Sequence, residues 1–347
     1  MIDVLLVDDS ATSLMLLKAV LESDPTIRVG ATARNGLEAI ECVQRKKPDL
    51  IVMDINMPRM DGYAATQHIL QTHPIPIIIC SGAWKSPEAV QSFRAIEVGA
   101  VTALSKPEGP GSPDYAGSVA AFIRTVKAMA AVRVVRRVRS QAGSTPQEVA
   151  PDRQQLIQRY RQQIDVVVVG ASTGGPPVLK EILQGLRPSP PFAIVIVQHI
   201  ATGFLDGLVT WLRTEVALPV HIARHRQPLQ PGCVYFGPDQ QHIGIENGLM
   251  VLDTLRPPEH GLRPTVANLF QSAATHYGRR AAGVLLTGMG ADGARELHAM
   301  RTHGALTMAQ DRQSSLIFGM PGEAVRLGAA QLVLPPGEII DVLNRLY

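Results

Sequence analysis

Short apolar runs, each ending on a polar residue and followed by a stretch of helical periodicity, recur along this 347-residue chain. Runs of this kind, apolar throughout instead of alternating, read as strands buried on both faces, and the intervening helices are the crossovers that parallel strands require. A single hydrophobic core stops growing near ~250–300 residues, so two such domains are expected. The composition, 46% hydrophobic and 18% charged, suits packed cores and excludes a disordered or fibrous chain. No apolar run approaches ~20 residues, and acidic residues at positions 8 and 9 stand where an export signal would be basic. A cytoplasmic protein without membrane insertion is therefore expected. Cys42, Cys80 and Cys233 are odd in number and lack metal-ligand spacing, as reduced thiols would.

Charge locates the boundary between the halves. The net charge is +3, yet residues 129–163 hold seven arginines against Glu148 and Asp152, a local +5, so the rest is close to neutral. This stretch runs from RVVRRVRS into the Gly/Ser/Pro-containing QAGSTPQEVAPD, as a solvated linker does. The expected division is 1–128, a basic flexible linker at 129–163, and 164–347.

In the N-terminal half, residues 2–7 (IDVLLV) read as a strand, Asp8-Asp9-Ser10 as a turn, and the spacing of Leu14, Leu17, Val20 and Leu21 as a helix. Further strands are expected at 28–31, 50–53, 76–80 and 100–104, with helices near 35–46, 61–71 and 86–98. Five strands with crossovers give a doubly wound α/β sheet, in which ligands bind beyond the carboxyl ends of the strands. Asp8, Asp9, Asp54, Ser81 and Lys106 occupy those positions. Three converging carboxylates repel one another, and a hard divalent cation such as Mg²⁺ relieves that repulsion. Helix capping explains Asp8 or Ser81 singly but not the whole set.

The motifs VDDS, MDINMPRMDG, CSGA and LSKP resemble the flavodoxin-like receiver domain of response regulators over essentially all of residues 1–125. The resemblance implies Asp54 as phosphoacceptor, with Asp9, Asp54 and the backbone carbonyl of Asn56 as Mg²⁺ ligands and Asp8 supporting the metal. It implies Ser81 and Lys106 as phosphoryl-binding residues, and a histidine kinase as phosphoryl donor. Receivers usually carry an aromatic residue three before the lysine; here it is Ala103.

In the C-terminal half, the β-branched run at 164–169 leads into Gly170-Ala171-Ser172-Thr173-Gly174-Gly175-Pro176-Pro177 and an apolar-periodic helix from Val178 to Leu186. A strand–glycine turn–helix aims backbone N–H groups at phosphates or at an oxyanion. A P-loop requires Gly-Lys-Ser/Thr after its fourth spacer residue, but Gly175 is followed by Pro176. A dinucleotide turn fails as well: the G-x-G-x-x-G form lacks glycine at 172, and the short-chain dehydrogenase form lacks it at 176. A hydroxyl nucleophile remains, and it needs an imidazole base and a carboxylate to orient that base. The strand at 193–197 ends in Gln198-His199, and that at 283–287 leads to Gly288-Met289-Gly290-Ala291-Asp292. His221, His225 and Asp311 also follow strand-like runs, and spacing barely separates Asp311 from Asp292.

GASTGGPP, VIVQHI, LLTGMGADGA, AQD and FGMPGEAV resemble the catalytic domain of chemotaxis protein-glutamate methylesterases of the CheB type, in the family's order over about 164–346. The resemblance implies a second doubly wound α/β domain with Ser172 as nucleophile, His199 as general base, Asp292 as orienting carboxylate, and the N–H groups of Thr173 and Met289 as oxyanion donors. It implies methylated glutamates of a chemoreceptor as substrate, glutamine deamidation as a related activity, no cofactor in this half, and activation through phosphorylation of the receiver. IATGFLDGLVTWL after His199, Arg312 after Asp311, and Ala267 depart from the family's usual residues. A DNA-binding output is not expected, since helix-turn-helix modules are smaller and this half alternates strand and helix; a non-catalytic scaffold is the other alternative.

Overall fold

Ile2–Val7 (β1) is a strand because its apolar residues are buried from both sides, with Val4 and Leu6 inaccessible to solvent. The computed structural model describes residues 1–81, 86–112, 115–132, 151–259 and 261–347, which belong to two compact units, Met1–Ala142 and Gly143–Tyr347. In the first unit β1 is followed by Ala11–Glu22 (α1), Ile27–Ala33 (β2), Gly36–Arg45 (α2), Leu50–Met53 (β3), Gly62–Thr72 (α3), Ile77–Ser81 (β4), Ser86–Glu97 (α4), Thr102–Ser105 (β5) and Tyr115–Ala130 (α5). The strands pair in parallel in the order β2-β1-β3-β4-β5. Helices start where the sequence supplies a cap: the Ser10, Asn35 and Asp61 side chains accept the N–H of Ser13, Glu38 and Ala64. The chain order reverses between β1 and β3, which opens a crevice beside Asp8 and Asp54.

The second unit begins with Pro151–Tyr160 (α6) and continues with Val166–Ala171 (β6), Gly175–Gly185 (α7), Ala193–Gln198 (β7) and Leu205–Glu215 (α8). Val220–Ile222 (β8), Val234–Phe236 (β9), His242–Glu246 (β10) and Leu249–Asp253 (β11) follow, then Val266–His276 (α9) and Ala281–Leu285 (β12). Ala294–Thr302 (α10), Leu306–Gln310 (β13), Met320–Arg326 (α11), Leu332–Leu334 (β14) and Pro336–Arg345 (α12) complete it. Seven strands pair in parallel in the order β14-β13-β12-β6-β7-β9-β8, as a doubly wound sheet requires. Alternation along β6 explains its run of four valines. Val166 and Val168 belong to a core with residues of α9, α10 and α11, while Val167 and Val169 face Leu179 and Ile182 of α7 and Ile339 and Leu343 of α12. Among the described residues no helix is long and apolar enough to cross a membrane.

Two sequence expectations are corrected here. Strand and helix do not alternate throughout the second unit, because β8 and β9 are successive strands and β10 and β11 form an antiparallel hairpin. Asn247 and Gly248 turn that hairpin with φ of 49° and 80°, the Asn-Gly signal of a type I′ turn. Nor is 129–163 linker throughout: α5 reaches Ala130, and α6 buries Ile157 and Tyr160 in the second unit. The Tyr160 hydroxyl donates to Gly304 O at 2.9 Å, and Arg153 pairs with Glu338 of α12. The polar composition of α6 conceals an apolar stripe only two residues wide. The basic segment at 133–140 and its continuation to 150 lie outside the described residues, as do Gly82 and Ala83 of the CSGA motif.

A fragment starting at residue 164 loses the burial of Ile157 and Tyr160, worth about 1.5–3 kcal/mol each. It is expected to unfold at lower urea than a fragment starting at residue 151; equal midpoints would show that α6 adds nothing to the second unit.

Candidate active site and acidic pocket

β6 is the switch point of the second sheet, with β7 on one side and β12 on the other, so the residue that follows β6 enters a crevice between two strand ends. That residue is Ser172. Ala171 pairs with Gln198, and the His199 N–H donates to Ala171 O at 2.8 Å, so Ser172 and His199 stand at the next register position of adjacent strands. On the other side the Ser172 N–H donates to Thr287 O at 3.0 Å. Gly174 turns the chain into α7 with φ of 81°. Gly288 allows the β12 loop to approach closely: a Cβ there would lie 2.6 Å from Ser172 Cβ and 2.4 Å from Met320 Sδ.

Asp292 reaches this crevice from the loop after β12. Its Oδ2 lies 2.8 Å from His199 Nε2, within ion-pair distance though off the line of a ring N–H hydrogen bond. The carboxylate also accepts the N–H groups of Val266 at 2.7 Å and Ala267 at 2.9 Å, the first turn of α9, where the helix dipole favours negative charge. Burial works to raise the Asp292 pKa, but the His199 ring and the two amides outweigh it and hold the carboxyl below its ordinary value. The site therefore contains a half-buried hydroxyl, an imidazole and a fixed anion. The N–H groups of Thr173 and Met289 make no backbone hydrogen bond among the described residues, so both remain available as donors.

The other candidates lie elsewhere. Asp311 follows β13, one strand further from β6 than β12, and its carboxylate accepts the Ser314 N–H at 3.1 Å. His221 lies on β8 at the sheet edge, stacked on Tyr235 at 5.6 Å, and His225 Nδ1 accepts the Leu252 N–H at 3.1 Å. Three buried polar residues at strand ends went unassigned in the sequence. Gln198 Nε2 donates to Ser172 O and His199 O, each at 2.8 Å. Thr287 Oγ1 lies 2.9 Å from Thr173 O, and Gln310 Oε1 accepts the Thr287 N–H at 2.8 Å. Their signal was present: each is a polar residue at or just beyond the end of a buried strand.

The crevice of the first unit is electrostatic. One carboxylate oxygen each of Asp8, Asp9 and Asp54 lies within 4.8 Å of the others. Lys106 Nζ is 2.5 Å from Asp8 Oδ2 and 3.0 Å from Asp54 Oδ2. Burial raises the Asp54 pKa, with Lys106 pulling the other way and Asp8 adding to the rise. Burial also opposes the Lys106 charge, yet the two carboxylates hold its pKa above the ordinary range. Three carboxylates cluster around a single ammonium among the described residues, that of Lys106, so this oxygen-donor set fits a hard divalent cation. Ser81 is buried at the end of β4, and its carbonyl accepts the Lys106 N–H at 3.1 Å. Asn56 is exposed in the loop after Asp54, and Ala103 pairs with Ile79 on β5.

Two parallel α/β units, one with an acidic crevice and one with a serine–histidine–aspartate arrangement at its switch point, define a receiver joined to a hydrolase-like domain. The chain belongs to the CheB methylesterase family: residues 167–343 match the model of that family, and residues 4–112 match the response regulator receiver domain. A Geobacter metallireducens protein named protein-glutamate methylesterase/protein-glutamine glutaminase 4 is 48% identical, over 100% of this chain and 99% of its own length. A Methanospirillum hungatei protein of the same name, numbered 2, is 46% identical over 100% and 98%. The crystal structure of the Thermotoga maritima CheB methylesterase catalytic domain has a TM-score of 0.51 and 34% identity, covering 53% of this chain and 99% of that one.

Because its folded pKa is depressed below 3.8, Asp292 contributes stability above that value and loses it as pH falls through the folded pKa. Asp292→Ala is expected to destabilise the protein at pH 7 by about 1.5–3 kcal/mol per lost charged hydrogen bond. The difference from wild type should shrink below pH 3.8 in urea titrations; a deficit independent of pH would contradict a charged native carboxylate.

Proposed function

We propose that this protein is a phosphorylation-activated serine hydrolase that demethylates glutamate methyl esters on chemoreceptors in chemotaxis adaptation, with glutamine deamidation as a second activity. The observation that carries this reading is the register of β6 and β7, which puts Ser172 and His199 side by side with Asp292 against the ring. The full-length relatives bear the names of both activities.

In this reading Ser172 Oγ attacks the ester carbonyl while His199 takes its proton, and Asp292 stabilises the resulting imidazolium. The tetrahedral oxyanion is met by the Thr173 and Met289 N–H groups. His199 returns the proton to the departing methoxide, methanol leaves, and a seryl ester remains. Water, deprotonated by His199, attacks that ester; the product is a glutamate carboxylate and Ser172 is regenerated. An amide follows the same steps with ammonia as leaving group.

In the first unit Asp54 takes a phosphoryl group from a partner histidine kinase, and Lys106 and Ser81 hold the phosphoryl oxygens. Asp8, Asp9, Asp54 and the Asn56 carbonyl would hold Mg²⁺, which supplies neutralising charge to the phosphoryl oxygens. Phosphorylation adds about −1.5 to −2 charges beside Lys106, and the lysine is then drawn from the carboxylates toward the new anion. This local change activates the second unit. Ala103 supplies no aromatic ring at the position where receivers usually carry one.

The test is methanol release from radiolabelled methylated receptor membranes. Wild type is expected to release methanol, faster with a small-molecule phosphoryl donor and Mg²⁺. Ser172→Ala should lose about 10³-fold or more in rate, and Asp54→Ala should retain basal activity without stimulation. Release by Ser172→Ala at the wild-type rate would exclude the serine mechanism, and stimulation of Asp54→Ala would exclude Asp54 as the regulatory site.

A further inference from the structure

We infer that Gln198 is a positioning residue that fixes the peptide plane between Ser172 and Thr173, and thereby aims the Thr173 N–H at the oxyanion. This rests on the reading of Ser172 as nucleophile given above.

The Ser172 carbonyl accepts two hydrogen bonds, from the Gly175 N–H at 2.8 Å and from Gln198 Nε2 at 2.8 Å. A trans peptide is planar, with its C=O and the following N–H pointing in opposite directions. Fixing the Ser172 oxygen therefore fixes the Thr173 hydrogen, which makes no backbone hydrogen bond of its own among the described residues. The next plane is held as well, since Thr287 Oγ1 lies 2.9 Å from Thr173 O. An oxyanion donor stabilises the transition state only when it already points at the place where charge develops.

Gln198 is 6% exposed, and its second Nε2 hydrogen bond, to His199 O, ties the residue of the base to that of the nucleophile. Packing does not account for the amide. Its Oε1 is buried without a hydrogen-bond partner, a cost that a methionine of similar length would avoid. The backbone accommodates this oxygen, for a Cβ at Gly175 would lie 2.1 Å from it. The carboxamide is thus a two-pronged donor whose targets are the carbonyls of the two residues that carry the proposed chemistry.

The experiment compares full-length wild type, Gln198→Met and Gln198→Glu, measuring kcat and KM for methanol release from methylated receptor membranes across pH. Near-UV circular dichroism reports folding. Removal of a whole oxyanion donor lowers kcat by about 10²–10³-fold, so misaiming one is expected to lower kcat roughly tenfold to hundredfold. KM should stay within about twofold, and the acid limb of kcat/KM should stay in place because the His199–Asp292 pair is untouched. A folded Gln198→Met with kcat within about twofold of wild type would overturn the inference. So would a rise in KM alone, a displaced acid limb, or loss of folded protein in both variants, which would make Gln198 a substrate contact, a modulator of the base, or a strand tie. If wild type and Ser172→Ala release methanol alike, the nucleophile reading itself falls, an outcome distinct from all of these.

Discussion

The parallel register between β6 and β7 is the constraint on which the catalytic reading depends. Because Ala171 pairs with Gln198, the first residues beyond the two strands come out abreast at the carboxyl edge of the sheet, and these are Ser172 and His199. A shift of one residue would reverse the face of every side chain on one strand. The shift is prevented by the core, since Val166 and Val168 pack toward α9 and α10 while Val167 and Val169 pack toward α7 and α12. Position at the site is thus set by burial far from it. The loop after β12 completes the group, and its close approach depends on Gly288, where a methyl group would collide with Ser172.

Charge is handled differently in the two units. In the second, Asp292 remains an anion in a buried site because the first-turn N–H groups of helix α9 and the His199 ring beside it favour the carboxylate. In the first, Lys106 is the one cation among the described residues that pairs with Asp8 and Asp54, whose carboxylates cluster with that of Asp9. The former arrangement suits a fixed electrostatic partner, whereas the latter suits a site that recruits a cation and gains or loses a phosphoryl group. One unit is preorganised and the other is poised to change.

Much of this was legible in the sequence because burial on both faces writes a recognisable pattern. The strands at 50–53 and 166–169 are unbroken apolar runs, and the polar residues ending them mark the functional edge. Spacing barely separates Asp292 from Asp311, since each follows a strand, and only the family resemblance pointed to Asp292. The strand order, with β12 beside β6 and β13 one place further out, distinguishes them in space. Helix α6 was hidden because, among its described side chains, only Ile157 and Tyr160 are buried and most of the rest are polar. The β10–β11 hairpin did carry a signal in Asn247-Gly248, which the prevailing strand–helix alternation masked. Gln198 and Thr287 stood in plain motifs, but a hydrogen bond to a neighbouring strand end is a spatial fact that spacing does not encode.

The proposed chemistry requires one property, a Ser172 hydroxyl made nucleophilic by His199. Treatment of the full-length protein with a fluorophosphonate, followed by peptide mass spectrometry, measures it most directly. A single phosphonyl adduct on Ser172, formed by wild type and slowed by about 10³-fold or more in His199→Ala, is the result expected. An adduct on another residue, or labelling of Ser172 at the same rate without the imidazole, would contradict the account.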